Sequence, residues 1–175
     1  MANDFTYHVM KDTTEHTVIK LTGRFDGSSQ ESNTARIQAN TLYGAMDSSK
    51  ANLLSSVANT GPLPYYGLAI NRVWYDCPTS NASVEMFWQA TTPRTIMFLN
   101  GNSEYDASGN WITISNQTAG EPGSNGNIGF TTRNMGANDS YTIILELRKD
   151  NTHYQRGQFN DPAAFNYGEK YGMKP

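Results

Sequence analysis

A chain of 175 residues with 17% charged side chains, a net charge of -3 and one cysteine fits a single domain, or a domain with arms, and is long enough to bury a sizeable core. The lack of any run of Lys or Arg excludes the electrostatic footprint of a nucleic-acid binder, and Cys77 alone excludes an internal disulfide framework or a cysteine-built zinc cage. No apolar stretch approaches the roughly 20 residues that span a bilayer, and "MANDFTYHVMKDTTEH" lacks the basic, apolar and small-residue layout of a signal peptide, so the expectation is a protein made in a cytoplasm and soluble there, with no membrane partner.

In chain order, "HTVIKLTG" sets Ile19 and Leu21 on one face and Val18 and Lys20 on the other, which predicts a strand ended by glycine. The region from Thr34 to Thr60 is rich in Ser and Asn and predicts irregular structure with one or two strands. "GLAINRVWYDC", "ASVEMFWQA" and "RTIMFLNG" follow as β-branched and aromatic runs, separated by the turn compositions "PTSN" and "TTP". Val84, Met86 and Trp88 face one way; Glu85, Phe87 and Gln89 face the other.

"GNSEYDASGN" reads as a hairpin or tight loop before "WITIS", and the stretch from Gly120 to Gly129 as a glycine-rich loop. "SYTIILELRK" places Tyr141, Ile143, Leu145 and Leu147 in strict alternation and is the clearest strand in the chain. Several short strands with turn signals between them predict an all-β domain, an antiparallel β-sandwich of jelly-roll-like form over residues 15–150, with extended arms at 1–14 and 151–175.

Motifs for chemistry are sparse. His8, His16 and His153 adjoin no Gly-x-Ser-x-Gly elbow and no His-Glu-x-x-His pair, so the expectation is no enzyme, no catalytic residues, no cofactor and no metal. Asn100, Asn102, Glu104 and Asp106 alternate as the oxygen ligands of a calcium loop do, but the glycine and distal glutamate of such a loop are missing, which favours a solvated hairpin tip. Trp74, Tyr75, Trp88 and Trp111 could form a sugar-stacking platform; in alternating strands they are expected to fill the core instead. Cys77 is expected as a small buried hydrophobe at a strand end.

"AINRVWYD", "VEMFWQA", "NGNSEYDASGNWITISN", "NIGFTT" and "SYTIILELRK", with "VIKLTGRFDGSSQESNTARI" before them, resemble segments of virion structural proteins of tailed phages, especially those infecting marine cyanobacteria and related bacteria. The resemblance runs over residues 15–150 and implies a particle component, first a capsid decoration or cement protein that bridges major capsid subunits on the virion surface, with a neck or tail component as the alternative. A carbohydrate-binding module for host-surface recognition is the rival from another class. The partners so implied are the major capsid protein or other virion subunits, with self-association as a further option and no nucleic acid.

The chain ends in "HYQRGQFNDPAAFNYGEKYGMKP", where Tyr154, Phe159, Phe165, Tyr167 and Tyr171 are spaced by Gly and Pro without strand or helix period. Such a segment cannot offset its own ordering entropy, but on a neighbouring subunit it can bury rings, so these five residues are the expected partner-binding set.

Overall fold

The computed structural model describes residues 2–45, 67–78, 81–107, 113–118, 121–149 and Tyr154. Ten strands are present among them: β1 (Asp4–Asp12), β2 (His16–Asp26), β3 (Thr34–Ile37), β4 (Leu68–Asp76), β5 (Ser83–Trp88), β6 (Arg94–Leu99), β7 (Asn102–Asp106), β8 (Ile114–Ser115), β9 (Ile128–Arg133) and β10 (Ala137–Lys149), with one 3-10 turn at Ala39–Thr41. They form two antiparallel sheets. The larger runs β1-β2-β10-β4-β7, with β8 beside one end of β4; the smaller runs β3-β9-β5-β6.

Alternation decides which side chains meet between the sheets. On β10 the inward positions are Tyr141, Ile143, Leu145 and Leu147, all at most 2% exposed, while Thr142, Ile144 and Glu146 point outward. Ile19, Leu21, Phe25, Ile70 and Val73 from the larger sheet join Val84, Met86, Trp88, Leu99, Ile128 and Phe130 from the smaller in one apolar cluster. Each such side chain contributes roughly 1.5–3 kcal/mol on burial, so this shared layer is what holds the sheets together. Gly23 takes an inward position of β2 opposite Tyr141, because a Cβ there would lie 2.6 Å from the Tyr141 ring.

Two bulges re-aim side chains. On β1 the pairing passes from Val9 opposite Ile19 to Lys11 opposite Val18, so Met10 is the extra residue and Asp12, opposite Thr17, is turned to the core side. On β4 the pairing passes from Arg72 opposite Glu146 to Ile70 opposite Leu147, which keeps both Ile70 and Val73 inward.

Expected and observed elements agree for the strands centred on residues 19, 73, 86, 97 and 145, and the six expected core residues Val84, Met86, Trp88, Ile143, Leu145 and Leu147 are fully buried. Three readings change. Residues 1–14, expected as an arm, contain β1, paired along its length with β2; its alternation is weak in sequence because an edge strand leaves both faces partly in water. "NSEYD" is a strand, β7, and β6 and β7 belong to different sheets, so Asn100 and Gly101 form a crossover between sheets and not a hairpin tip. Tyr154, assigned to the docking arm, is fully buried, pairs with Ala45 in an isolated bridge and donates its hydroxyl to the Ala39 carbonyl at 2.8 Å. The domain therefore extends past residue 150. Phe159, Phe165, Tyr167 and Tyr171 lie outside the described residues, as do His153 and Trp111.

Candidate functional site

Residues with chemical potential are dispersed. His8 lies on the outward face of β1, His16 starts β2 with its Nδ1 4.0 Å from Glu146, and no group of three or more His, Cys, Asp or Glu is close enough to hold a metal among the described residues. Cys77 follows β4, buried; burial first and the Asp76 charge second push its thiol up to about 12, which keeps it protonated and unreactive at neutral pH. The alternation of Asn102, Glu104 and Asp106 is that of a strand: they line the outward face of β7, where Asp106 accepts from Arg72 Nε at 3.0 Å.

Two charged groups are buried at opposite ends of β10, and both serve the fold. Lys149 occupies the next inward position after Leu147. Its ammonium donates to Asp12 Oδ1 at 2.5 Å and to the carbonyls of Thr13 and Tyr43, each at 2.7 Å, and stands 5.2 Å from the Tyr154 ring centre. All three protons are used, so one side chain ties the β1-β2 turn, the segment after the 3-10 turn and the end of β10. Burial holds its pKa below the usual lysine value, against the pull of Asp12.

At the other end Glu31, 5% exposed, accepts from Arg36 Nε and, at 2.9 Å, from the Tyr141 hydroxyl. Its backbone is fixed to Thr132 on β9 by two further hydrogen bonds. Burial raises the Glu31 carboxyl above the usual carboxylate value, with Arg36 opposing, and burial with the Glu31 charge raises the Tyr141 phenol. Arg36 also lies 3.7 Å over the ring of Phe5, which meets Phe25 edge-on at 5.6 Å between ring centres.

That cluster borders an open seam. β1 and β3 are edge strands of the two sheets, and between them a depression of about 260 Å³ is lined by Phe5, Tyr7 and Leu21 on one side and Ala35, Arg36 and Gln38 on the other. Beyond Phe5 the same strand exposes Tyr7 at 45%, Val9 at 41% and Met10 at 55%, which puts three of the five large apolar residues exposed among the described residues on one unpaired edge. The other two are Tyr43 and Phe98, the latter on β6, the open edge of the smaller sheet.

The described residues of the aromatic platform considered from sequence do not share one face. Of its three described members, Trp88 is in the core, Tyr75 packs against the core from β4, and Trp74 lies on the outward face, beside a depression of about 500 Å³ on the larger sheet; Trp111 lies outside the described residues.

Comparison of this chain with known protein families, with curated proteins and with solved structures finds no match. The strand edges and outward faces therefore carry the functional reading.

Sequence reasoning did not single out the β1 edge, Lys149 with Asp12, or Glu31 with Arg36. Lys149 was within reach, since the alternation that includes Leu147 places residue 149 inward; Asp12 was not, because the bulge at Met10 that turns it inward has no local signature.

Proposed function

We propose that this chain is a structural subunit of a virus particle, a decoration or cement protein of jelly-roll form that docks on the outer shell of a tailed phage and braces neighbouring major capsid subunits. The observation that carries the reading is the seam between β1 and β3, where Tyr7, Val9 and Met10 stand on an edge whose backbone is open to another chain. Strand addition there supplies main-chain hydrogen bonds for affinity and alternate side-chain contacts for specificity. Burying three such side chains on a partner contributes several kcal/mol, about 1.5–3 each.

The pairing order supports the jelly-roll reading. Among β2, β3, β4, β5, β6, β7, β9 and β10, the first pairs with the last, the second with the seventh, the third with the sixth and the fourth with the fifth. That is one antiparallel ribbon wound into two sheets, an architecture shared by viral coat and lectin domains. Fold alone does not decide function, and the edge chemistry narrows it.

Phe159, Phe165, Tyr167 and Tyr171 remain the proposed second attachment, reaching a neighbouring subunit from the end of the domain. A position at the neck or tail would use the same surfaces and is distinguished by where labelled protein appears on intact particles.

The test is a Tyr7→Lys, Val9→Lys double variant, added to particles that lack the protein. Retention after sedimentation should fall at least about tenfold, the equivalent of roughly 1.4 kcal/mol, with little change in melting temperature. Full retention by a folded variant would overturn the seam as the docking surface.

A further inference from the structure

We propose that the outward face of the larger sheet carries a binding site for a neutral saccharide, built on Trp74 with Asp76, Asn102 and Glu104. This site is independent of the β1 edge, from which it is separated by β2 and β10 in the sheet order. The register brings the parts together: Trp74 stands between Ile144 on β10 and Glu104 on β7, and in the next row Asp76 stands between Thr142 and Asn102. Opposite residues of antiparallel strands point to the same face, so an indole, two carboxylates, an amide and a hydroxyl share one depression of about 500 Å³. That volume falls within the range of small-ligand sites, roughly 300–1,000 Å³.

The neighbouring row shows what the sheet does with charges it needs for itself. Arg72 donates to Asp106 at 3.0 Å and lies 3.8 Å from Glu146, and its guanidinium is 5.8 Å from the Trp74 ring centre, which restrains the indole from one side. Asp76 and Glu104, by contrast, have no side-chain hydrogen bond or ion pair among the described residues, and neither does the Asn102 amide. Cross-strand packing of Trp74 on Ile144 accounts for the ring, and because Asp76, Asn102 and Glu104 are exposed, water satisfies them in the free chain and the hydroxyls of a ligand can take its place.

The chemistry fits one ligand class. A pyranose presents apolar C–H faces that stack on an indole and a rim of hydroxyls that donate to carboxylates in charge-assisted hydrogen bonds, while the Asn102 amide can donate to or accept from a further hydroxyl. Two uncompensated negative charges exclude sialylated or uronic saccharides by repulsion. A quaternary ammonium group fits less well, because it favours a cage of several rings and the described residues place one indole here.

Titration of the full chain with neutral hexose oligosaccharides of four to six units, followed by tryptophan fluorescence and calorimetry, tests the site. At least one should bind and perturb the emission, and Trp74→Ala should weaken that binding about tenfold or more. Asp76→Asn and Glu104→Gln, surface changes that leave folding intact, should each weaken it severalfold. Phe98→Ser on the smaller sheet should leave it unchanged. The proposal fails if no neutral oligosaccharide binds at millimolar concentration, if Trp74→Ala binds as the wild type does, or if tetramethylammonium or a sialylated oligosaccharide binds in place of the neutral ones.

Discussion

The two ends of β10 bury opposite charges by different means. At Tyr141 the buried group is the Glu31 carboxylate, satisfied by two side chains, Arg36 and the phenol. At Lys149 it is an ammonium, satisfied by one carboxylate and two main-chain carbonyls. Side-chain partners can be exchanged or repacked, whereas carbonyls left behind in a core have no substitute donor. The lysine end is therefore the more costly to break, because it fixes backbone from three separate segments.

The largest effect should come from truncation after Arg148, which removes both Lys149 and Tyr154. The sequence alone suggested that this cut would spare the domain; the burial of both residues predicts instead a loss of about 5 kcal/mol or more, read as a large fall in melting temperature. A cut after Tyr154 keeps both groups and should leave melting nearly unchanged, so it isolates the attachment role of the later aromatic residues. Equal melting of the two truncated chains would mean that the lysine end contributes little.

Lys149→Ala should cost about 3–5 kcal/mol in chemical denaturation, since it leaves Asp12 and two carbonyls without their donor. Leu145→Ala, midway between the two ends and fully buried, should cost about 2–5 kcal/mol through its cavity and serves as the apolar reference. If Lys149→Ala costs much less than Leu145→Ala, water replaces the ammonium and the end is not sealed. Tyr141→Phe removes one donor from Glu31 and should cost about 1–3 kcal/mol, the smallest of the single changes.

The pH dependence sharpens the contrast further. Glu31 is held above its ordinary value, so in the range from that value up to its folded pKa the folded chain retains a proton that the unfolded chain releases, and stability falls as pH rises. Lys149 is held below its ordinary value, so between its folded pKa and the ordinary one the unfolded chain retains the extra proton, and stability rises with pH. The stability of wild type relative to Glu31→Gln should thus decline as pH increases above the usual glutamate range. A flat difference would show that Arg36 and Tyr141 fully offset the burial of the charge.

Much of the framework was legible in the sequence because strand period and apolar content are local. "SYTIILELRK" specified its inward face without reference to any neighbour, and "VEMFW" did so at Val84, Met86 and Trp88; the all-β class and the core between two sheets follow from these. The outward residues were harder. Trp74 and Trp88 are the same residue type in similar apolar runs, yet one fills the core and the other faces out, since Ile70 and Val73 both take inward positions across the β4 bulge.

Local alternation, turn chemistry and composition by themselves determined that this chain makes short strands, which side of the strongest strands is buried, and that no known catalytic motif is spelled out. Tertiary structure alone decided that residues 4–12 are a sheet edge, that Asp12 meets Lys149 across 137 positions of chain, that Tyr154 closes the core, and that Trp74, Asp76, Asn102 and Glu104 share a face. Those outcomes depend on register between distant strands, and register is set by bulges and by the sum of long-range pairings. No single segment carries that information.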